Sequence, residues 1–222
     1  MLKQFKSEYI KHSNFPILFV SILVFFIGIA FFEDEANGWL VNLLIFQVFA
    51  ASIYTVSKSD EVFKTALILG VVFVLLRVAQ YYFRDTNNIY LTLSVLFMFI
   101  FMGIILKNIL GYLLVTNQVN INLILGVISG YLLIGVLFSF GFTLSEVLSE
   151  QAAINFEGIP EFKDILYFTM ITQTTIGYGD YSPQSDSARF LSYSLGVIGQ
   201  LYMGIVMAFI IGKFLQPKPD EK

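Results

Sequence analysis

Six apolar runs constrain this chain more than any other feature. Five of them lie at 16–32, 39–56, 62–83, 89–106 and 121–142, and a sixth follows at 188–214. A helix needs about 20 mainly apolar residues to cross the hydrocarbon core of a bilayer. Inside that core the backbone must satisfy its own hydrogen bonds, which leaves helices or closed barrels. Unbroken apolar runs of this length, without strand-like alternation, predict helices. Polar breaks at 33–38, 57–61, 84–88 and 107–120 separate the first five. Composition points the same way, with only 13% of residues charged against about a quarter in soluble domains. A soluble enzyme, a disordered tail and a nucleic-acid binder are therefore excluded. The chain has no cysteine, hence no disulfide, thiolate metal site or cysteine nucleophile. Its sequence holds no catalytic triad, no histidine-based metal cluster and no phosphate loop.

The expected order is a short N-terminal stretch (1–15), four helices over 16–106, an amphipathic linker along the membrane surface (107–120) and a final module (121–216). A tail of 217–222 follows. In the final module the pattern changes after the outer helix. The segment 143–160 is polar and acidic, and 162–174 reads as a helix too short to span. A Gly- and Tyr-rich stretch at 175–180 comes next, then a long inner helix at 187–215. A half-span thus dips into the membrane and returns. The first run is a retained anchor: Lys3, Lys6 and Lys11 precede it, but Ala30-Phe31-Phe32-Glu33 lacks the small-x-small cleavage pattern.

Six spans place both termini on one side. That side, with the second-to-third and fourth-to-fifth loops, holds nine basic against five acidic residues. The other side holds Arg84, Lys163 and Arg189 against eleven acids. The positive-inside rule assigns the first side to the cytoplasm, so both termini are expected there, with the chain multi-pass in the cell membrane. Glu146, Glu150, Glu157, Glu161, Asp164, Asp180 and Asp186 are then external. They form either a solvated loop surface or a cluster that concentrates cations.

The re-entrant stretch reads Thr172-Gln173-Thr174-Thr175-Ile176-Gly177-Tyr178-Gly179-Asp180. A cation that sheds its water can be held by backbone carbonyls in place of its hydration shell. Carbonyls turn to one axis only if the backbone takes dihedrals that a Cβ opposes, and Gly177 and Gly179 permit this. Thr175, Ile176, Gly177 and Tyr178 would supply four carbonyl levels, and the Thr175 hydroxyl the innermost. A short helix ending there points its carbonyl dipole at the membrane centre, which favours a cation. One chain supplies a quarter of a ring, so a closed cage implies a homotetramer around a central pore.

Thr-x-Thr-Thr-x-Gly-Tyr-Gly-Asp resembles the signature of potassium channels. The chain is similar to prokaryotic six-transmembrane members of the tetrameric pore-loop cation channel superfamily, most clearly over 121–214, and Gly199-Gln200-Leu201-Tyr202 resembles bacterial members. The resemblance implies an all-α membrane protein: six transmembrane helices plus a re-entrant pore helix and selectivity filter. It implies potassium coordination by Thr175, Ile176, Gly177, Tyr178 and Gly179, with Thr174, Asp180 and Tyr167 supporting the filter. Potassium is then the permeant ion, with no cofactor; the partners are the bilayer and three further copies, and no nucleic acid. In some relatives a carboxylate stands four residues before the filter threonine; here Ile171 occupies that place. The resemblance marks Gly199 and Gly204 as hinge candidates, and Met203, Met207, Ala208 and Ile211 as candidates for the lower cavity and gate. Gln200 faces either the cavity or the pore helix.

The first four helices match the family only in number. Voltage-gated relatives carry Arg or Lys at every third position of the fourth span; the run 89–106 contains none, so a classical voltage sensor is not expected. Arg77, inside the third run, is the one membrane-embedded base. His12 is expected in solvent. Trp39, Tyr54, Tyr81 and Tyr82 fit interfacial anchors. The short tail leaves no room for a cytoplasmic ligand-sensing domain. A less selective cation channel and a non-conducting regulatory subunit are the alternatives the sequence leaves open.

Overall fold

The computed structural model describes residues 14–32, 38–56, 64, 68, 70–73, 75–76, 79, 89–116, 119–149 and 152–215. Arg77, His12, Tyr81, Tyr82, the tail and most of the run 62–83 lie outside the described residues. Among those described the architecture is all-helical. Six helices follow one another: α1 (Phe15–Phe32), α2 (Gly38–Val56), α3 (Ile89–Val115), α4 (Ile121–Leu148), α5 (Phe162–Gln173) and α6 (Asp186–Phe214). The only strand-like element among them is one antiparallel bridge, Ile154 to Pro183.

Among the described residues, three helices are long and apolar enough to cross a membrane: Ile89–Tyr112 of α3, Ile121–Leu148 and Asp186–Phe214. Shorter apolar stretches occupy Phe15–Phe31 and Leu40–Thr55. Caps set the boundaries. The Asn120 side chain accepts from Leu123 N–H at 2.8 Å and starts α4, and Ser185 accepts from Ala188 N–H at 3.1 Å and starts α6. Asp186 in the first turn of α6 and Lys213 in its last suit the two ends of the helix dipole. Hydroxyls within the helices bond back to carbonyls four residues earlier, as with Ser52 to Val48, Ser129 to Leu125 and Ser139 to Gly135. Those polar groups therefore carry little cost in an apolar surrounding.

The expected linker over 107–120 is corrected. Residues 107–115 continue α3 without a break, and only 116–120 separate α3 from α4. Lys107 and Asn108 made this stretch look like an interruption. Yet neither is a helix breaker, and the Asn108 amide donates to the Ile104 carbonyl at 2.8 Å, inside its own helix. A five-residue link makes α3 and α4 antiparallel neighbours. The outer helix also runs further than the apolar run suggests, through Leu148.

Helix α4 is the hub and packs against α1, α3, α5 and α6. Its buried positions, Leu133, Val136, Phe140 and Phe142 among them, occupy several faces, whereas α6 buries a single stripe of Leu195, Gly199, Tyr202 and Val206. Aromatic rings fasten the other helices to this hub. Phe25 of α1 meets Phe162 of α5 at 6.3 Å, Phe140 meets Phe162 at 5.4 Å, and Phe142 meets Phe168 at 5.1 Å. Phe49 of α2 stacks on Phe101 of α3 at 3.6 Å. Between α1 and α2, the Gln47 amide donates to the Ser21 hydroxyl at 2.7 Å and to its carbonyl at 3.2 Å. At the start of α1, Phe15 N–H donates to the Asn122 side chain of α4 at 3.1 Å.

Candidate functional site

The site is the backbone that leaves α5. Its opening turn is fixed by Asp164, whose carboxylate accepts from Glu161 N–H at 3.0 Å and suits the positive end of the helix. At the other end Thr174 is the C-cap; its N–H bonds to Met170 O at 3.0 Å and its hydroxyl to the same carbonyl at 2.7 Å. Thr175 N–H then reaches Thr172 O, and Gly177 N–H reaches Ile171 O, both at 3.1 Å. The chain thus turns off the helix by donating its amides backwards into α5.

Past Thr174 the backbone alternates. Thr175 has φ +62°, Gly177 +52° and Gly179 +83°, while Ile176 and Tyr178 between them keep negative φ. In an ordinary strand successive carbonyls point to opposite sides. Alternating the hand of successive residues turns them to the same side instead. Glycine adopts the left-handed hand freely. For β-branched Thr175 it is a genuine outlier, at a cost of roughly 1–3 kcal/mol that the surroundings must hold in place. Thr175 is the only described non-glycine residue with positive φ. All of Thr174 to Asp180 is exposed on the single chain, including Tyr178 at 71%.

Outside this stretch two ties hold its far end. The first joins Tyr167 and Asp180: the phenol donates to Asp180 Oδ2 at 2.7 Å. This bond, followed by burial and the Asp180 charge, pushes the Tyr167 pKa up to about 12. Tyr181 stands edge-on to Tyr167 at 6.0 Å and to Phe156 at 4.7 Å. Phe168, the other aromatic at this level, is buried against Phe142 instead.

The second tie is a clasp between the segments before α5 and after residue 180. Gln184 N–H and Ser185 N–H donate to Ala153 O at 2.8 and 3.2 Å, and Asn155 N–H donates to Ser182 O at 3.2 Å. Ser182 N–H returns a bond to the Asn155 side chain. Glu146, in the last turn of α4, accepts from Ala153 N–H at 2.9 Å and Ile154 N–H at 3.3 Å. Ala153 and Ile154 are fully buried. Sequence reasoning missed Asn155 and saw in Glu146 only one of several external acids. The offset of seven residues between Glu146 and Ala153 was the only available signal.

Behind the stretch, α4 and α6 close on Gln173, the last residue of α5. The Gln173 amide donates to Tyr131 O at 2.8 Å, and the Tyr131 phenol donates back to Gln173 O at 3.2 Å. The Tyr202 phenol of α6 donates to Val127 O of α4 at 2.8 Å. Glycines permit this closeness. A Cβ on Gly199 would stand 3.3 Å from Gln173 O, and one on Gly130 would stand 2.3 Å from the Tyr202 hydroxyl. Gly199 therefore has a packing role at the root of the stretch. Gly204 has open space around it, and Met203, Met207, Ala208 and Ile211 are exposed along α6. None of these five lies in the buried stripe that meets α4 and α5.

Among the described residues no group of His, Cys, Asp or Glu side chains could hold a metal ion.

Residues 130–216, from α4 to the end of α6, match the family described as "Ion channel". A "Two pore potassium channel a" of Oryza sativa subsp. japonica is 32% identical over 80 residues, which is 36% of this chain and 20% of that protein. A "Two pore potassium channel b" of the same plant is 37% identical over 57 residues, 26% of this chain and 14% of that protein. The chain therefore spans a fifth or less of the length of these curated relatives. No solved structure matches it. The stretch with the alternating backbone thus lies within the residues that match this family.

Proposed function

We propose that the chain is a potassium-selective channel that conducts passively through a carbonyl-lined filter formed by four copies. The single observation that carries this reading is the alternation of positive φ at Thr175, Gly177 and Gly179. It lies between the C-terminus of a half-length helix and the start of a membrane-crossing one. That arrangement aims oxygens of successive residues at one line, and replacing a hydration shell is what such a row does. Thr175, Ile176, Gly177 and Tyr178 supply the carbonyl levels and Gly179 the outer end. Thr174, Tyr167 and Asp180 support it. Potassium is cargo here, and no cofactor takes part.

Irregular backbone at membrane depth must be enclosed by protein or line water. The exposed face of residues 174–180 meets that demand when four copies close around an axis. The six-span topology, with both termini cytoplasmic in the cell membrane, follows from the charge balance of the loops and belongs to the same proposal. So does the assignment of Met203, Met207, Ala208 and Ile211 to the lower cavity and gate, with Gly204 as a hinge and Gly199 bending where it packs.

The test is flux through the purified full chain in liposomes under opposed potassium and sodium gradients. A reversal potential close to the potassium equilibrium value is expected. A reversal near zero with real current means a less selective cation pore. No current in the presence of the tetramer favours a regulatory subunit.

A further inference from the structure

The last four carbonyls of a helix have no partner within it. In α5 three of them are closed by the stretch that follows: Met170 O by Thr174 N–H, Thr172 O by Thr175 N–H and Ile171 O by Gly177 N–H. The fourth, Gln173 O, accepts from the Tyr131 phenol of α4 at 3.2 Å. Amides of the stretch thus fasten it to α5, and Gln173 fastens both to α4. The Gln173 side chain answers the same tyrosine, its amide donating to Tyr131 O at 2.8 Å. One bond reaches the main chain of Gln173 and the other leaves its side chain, so the residue is held at two points.

Stability alone does not account for a glutamine here. Gln173 is fully buried, and its Oε1 has no hydrogen-bond partner among the described residues. A buried acceptor left unmet weakens a fold, and an apolar side chain of similar size would carry no such cost. The neighbouring helices nevertheless make room for it. A Cβ on Gly135 of α4 would stand 2.4 Å from Gln173 Oε1, and one on Gly199 of α6 would stand 3.2 Å from Gln173 Cγ. What the two bonds hold is the peptide plane between Gln173 and Thr174, whose C=O is turned to Tyr131. Thr175 comes directly after that plane and Thr174, with its φ of +62°. A β-branched residue keeps such a φ only where its surroundings impose it.

We propose that Gln173 is the positioning residue for the inner end of the filter, and that its reciprocal bonds with Tyr131 make the outer helix α4 a determinant of potassium-over-sodium selectivity. The bonds fix the plane from which the chain leaves α5, and that plane keeps Thr175 left-handed. When either bond is lost the plane can rotate. Thr175 then relaxes towards negative φ, and its carbonyl and hydroxyl leave the line of oxygens that replaces the hydration shell. This inference rests on the pore reading above and adds to it a pair of residues that touch no ion.

Reversal potentials of the purified full chain in liposomes, under opposed potassium and sodium gradients, test this. Tyr131→Phe keeps the ring and removes only the hydroxyl that serves Gln173 O. Its potassium-to-sodium permeability ratio is expected to fall by about fivefold or more. Gln173→Leu removes the side-chain bond and should lose as much; if it does not assemble, Tyr131→Phe decides alone. Tyr202→Phe is the control. It deletes a comparable phenol bond, from α6 to Val127 O of α4, that does not involve Gln173. Its ratio should stay within about twofold of the parent, whatever happens to its melting temperature. A merely structural role for the Tyr131 bond would lower the current and the melting temperature and leave the reversal potential in place. A Tyr131→Phe ratio equal to the parent's therefore overturns the proposal, and so does an equal loss in Tyr202→Phe. A parent that does not itself discriminate potassium from sodium overturns the pore reading instead.

Discussion

Tyr167 and Asp180 show how one hydrogen bond sets a pH range. The bond at 2.7 Å requires the phenol to keep its proton, and the Tyr167 pKa is pushed up to about 12 from an ordinary 10.0. The folded chain therefore binds this proton more tightly than the unfolded one does. Its contribution is complete below pH 10 and is lost as pH rises from 10 through about 12. Selectivity between potassium and sodium is expected to hold to about pH 10 and to decline above it. Tyr167→Phe, which has no proton to lose, should show weaker selectivity at neutral pH and no alkaline step. Reversal potentials measured across that range in liposomes check both statements.

At the scale of elements, the re-entrant unit is held by more than its own sequence. The clasp between the segments at 153–155 and 182–185 closes the loop outside residues 174–180, and Glu146 pins one side of it from α4. Glu146→Ala leaves two buried amides without a partner, at a cost of roughly 1–3 kcal/mol. It should lower the thermal midpoint of the assembled protein and speed the loss of current in low external potassium. Glu146→Gln keeps an accepting oxygen and should recover most of both. Comparing melting curves with current decay for the two variants tests this.

The sequence announced the loop but not the clasp. Alternating glycines at 177 and 179 and the short apolar helix before them are local features, and local features are legible. The bonds of Glu146 and Asn155 exist only once α4, α5 and α6 are packed, so their residue types looked like ordinary external polar groups. The length of α3 was misjudged for a related reason. Lys107 and Asn108 counted against an apolar run, although a single polar pair does not stop a helix whose next turns, Ile109 to Val115, are apolar again. Gly199 drew attention as a hinge, while its closeness to Gln173 is a property of packing that spacing along one chain does not reveal.

At the scale of the whole molecule, α1 and α3 lie against α4 of the same chain. These helices thus pack on the α4 of their own chain. The site of a Gly126 Cβ is 3.0 to 3.2 Å from the Phe15 ring, within the reach of a disulfide. A Phe15→Cys, Gly126→Cys double variant of this cysteine-free chain should cross-link on oxidation and run as a single chain on a denaturing gel. A ladder of dimers and tetramers would mean that these helices are exchanged between copies.

The exposure of residues 174–180 on a single chain has a consequence for the life of the protein in a membrane. Ile176 and Tyr178 stand open at 53% and 71%. A lone copy would present that backbone to hydrocarbon, which cannot satisfy it. On the proposed four-copy assembly, folding of the loop and the gathering of copies are one equilibrium, governed by how many chains share a given area of bilayer. A membrane sparsely supplied with this chain would hold copies lacking a finished loop, and production level would set the fraction of chains that are whole.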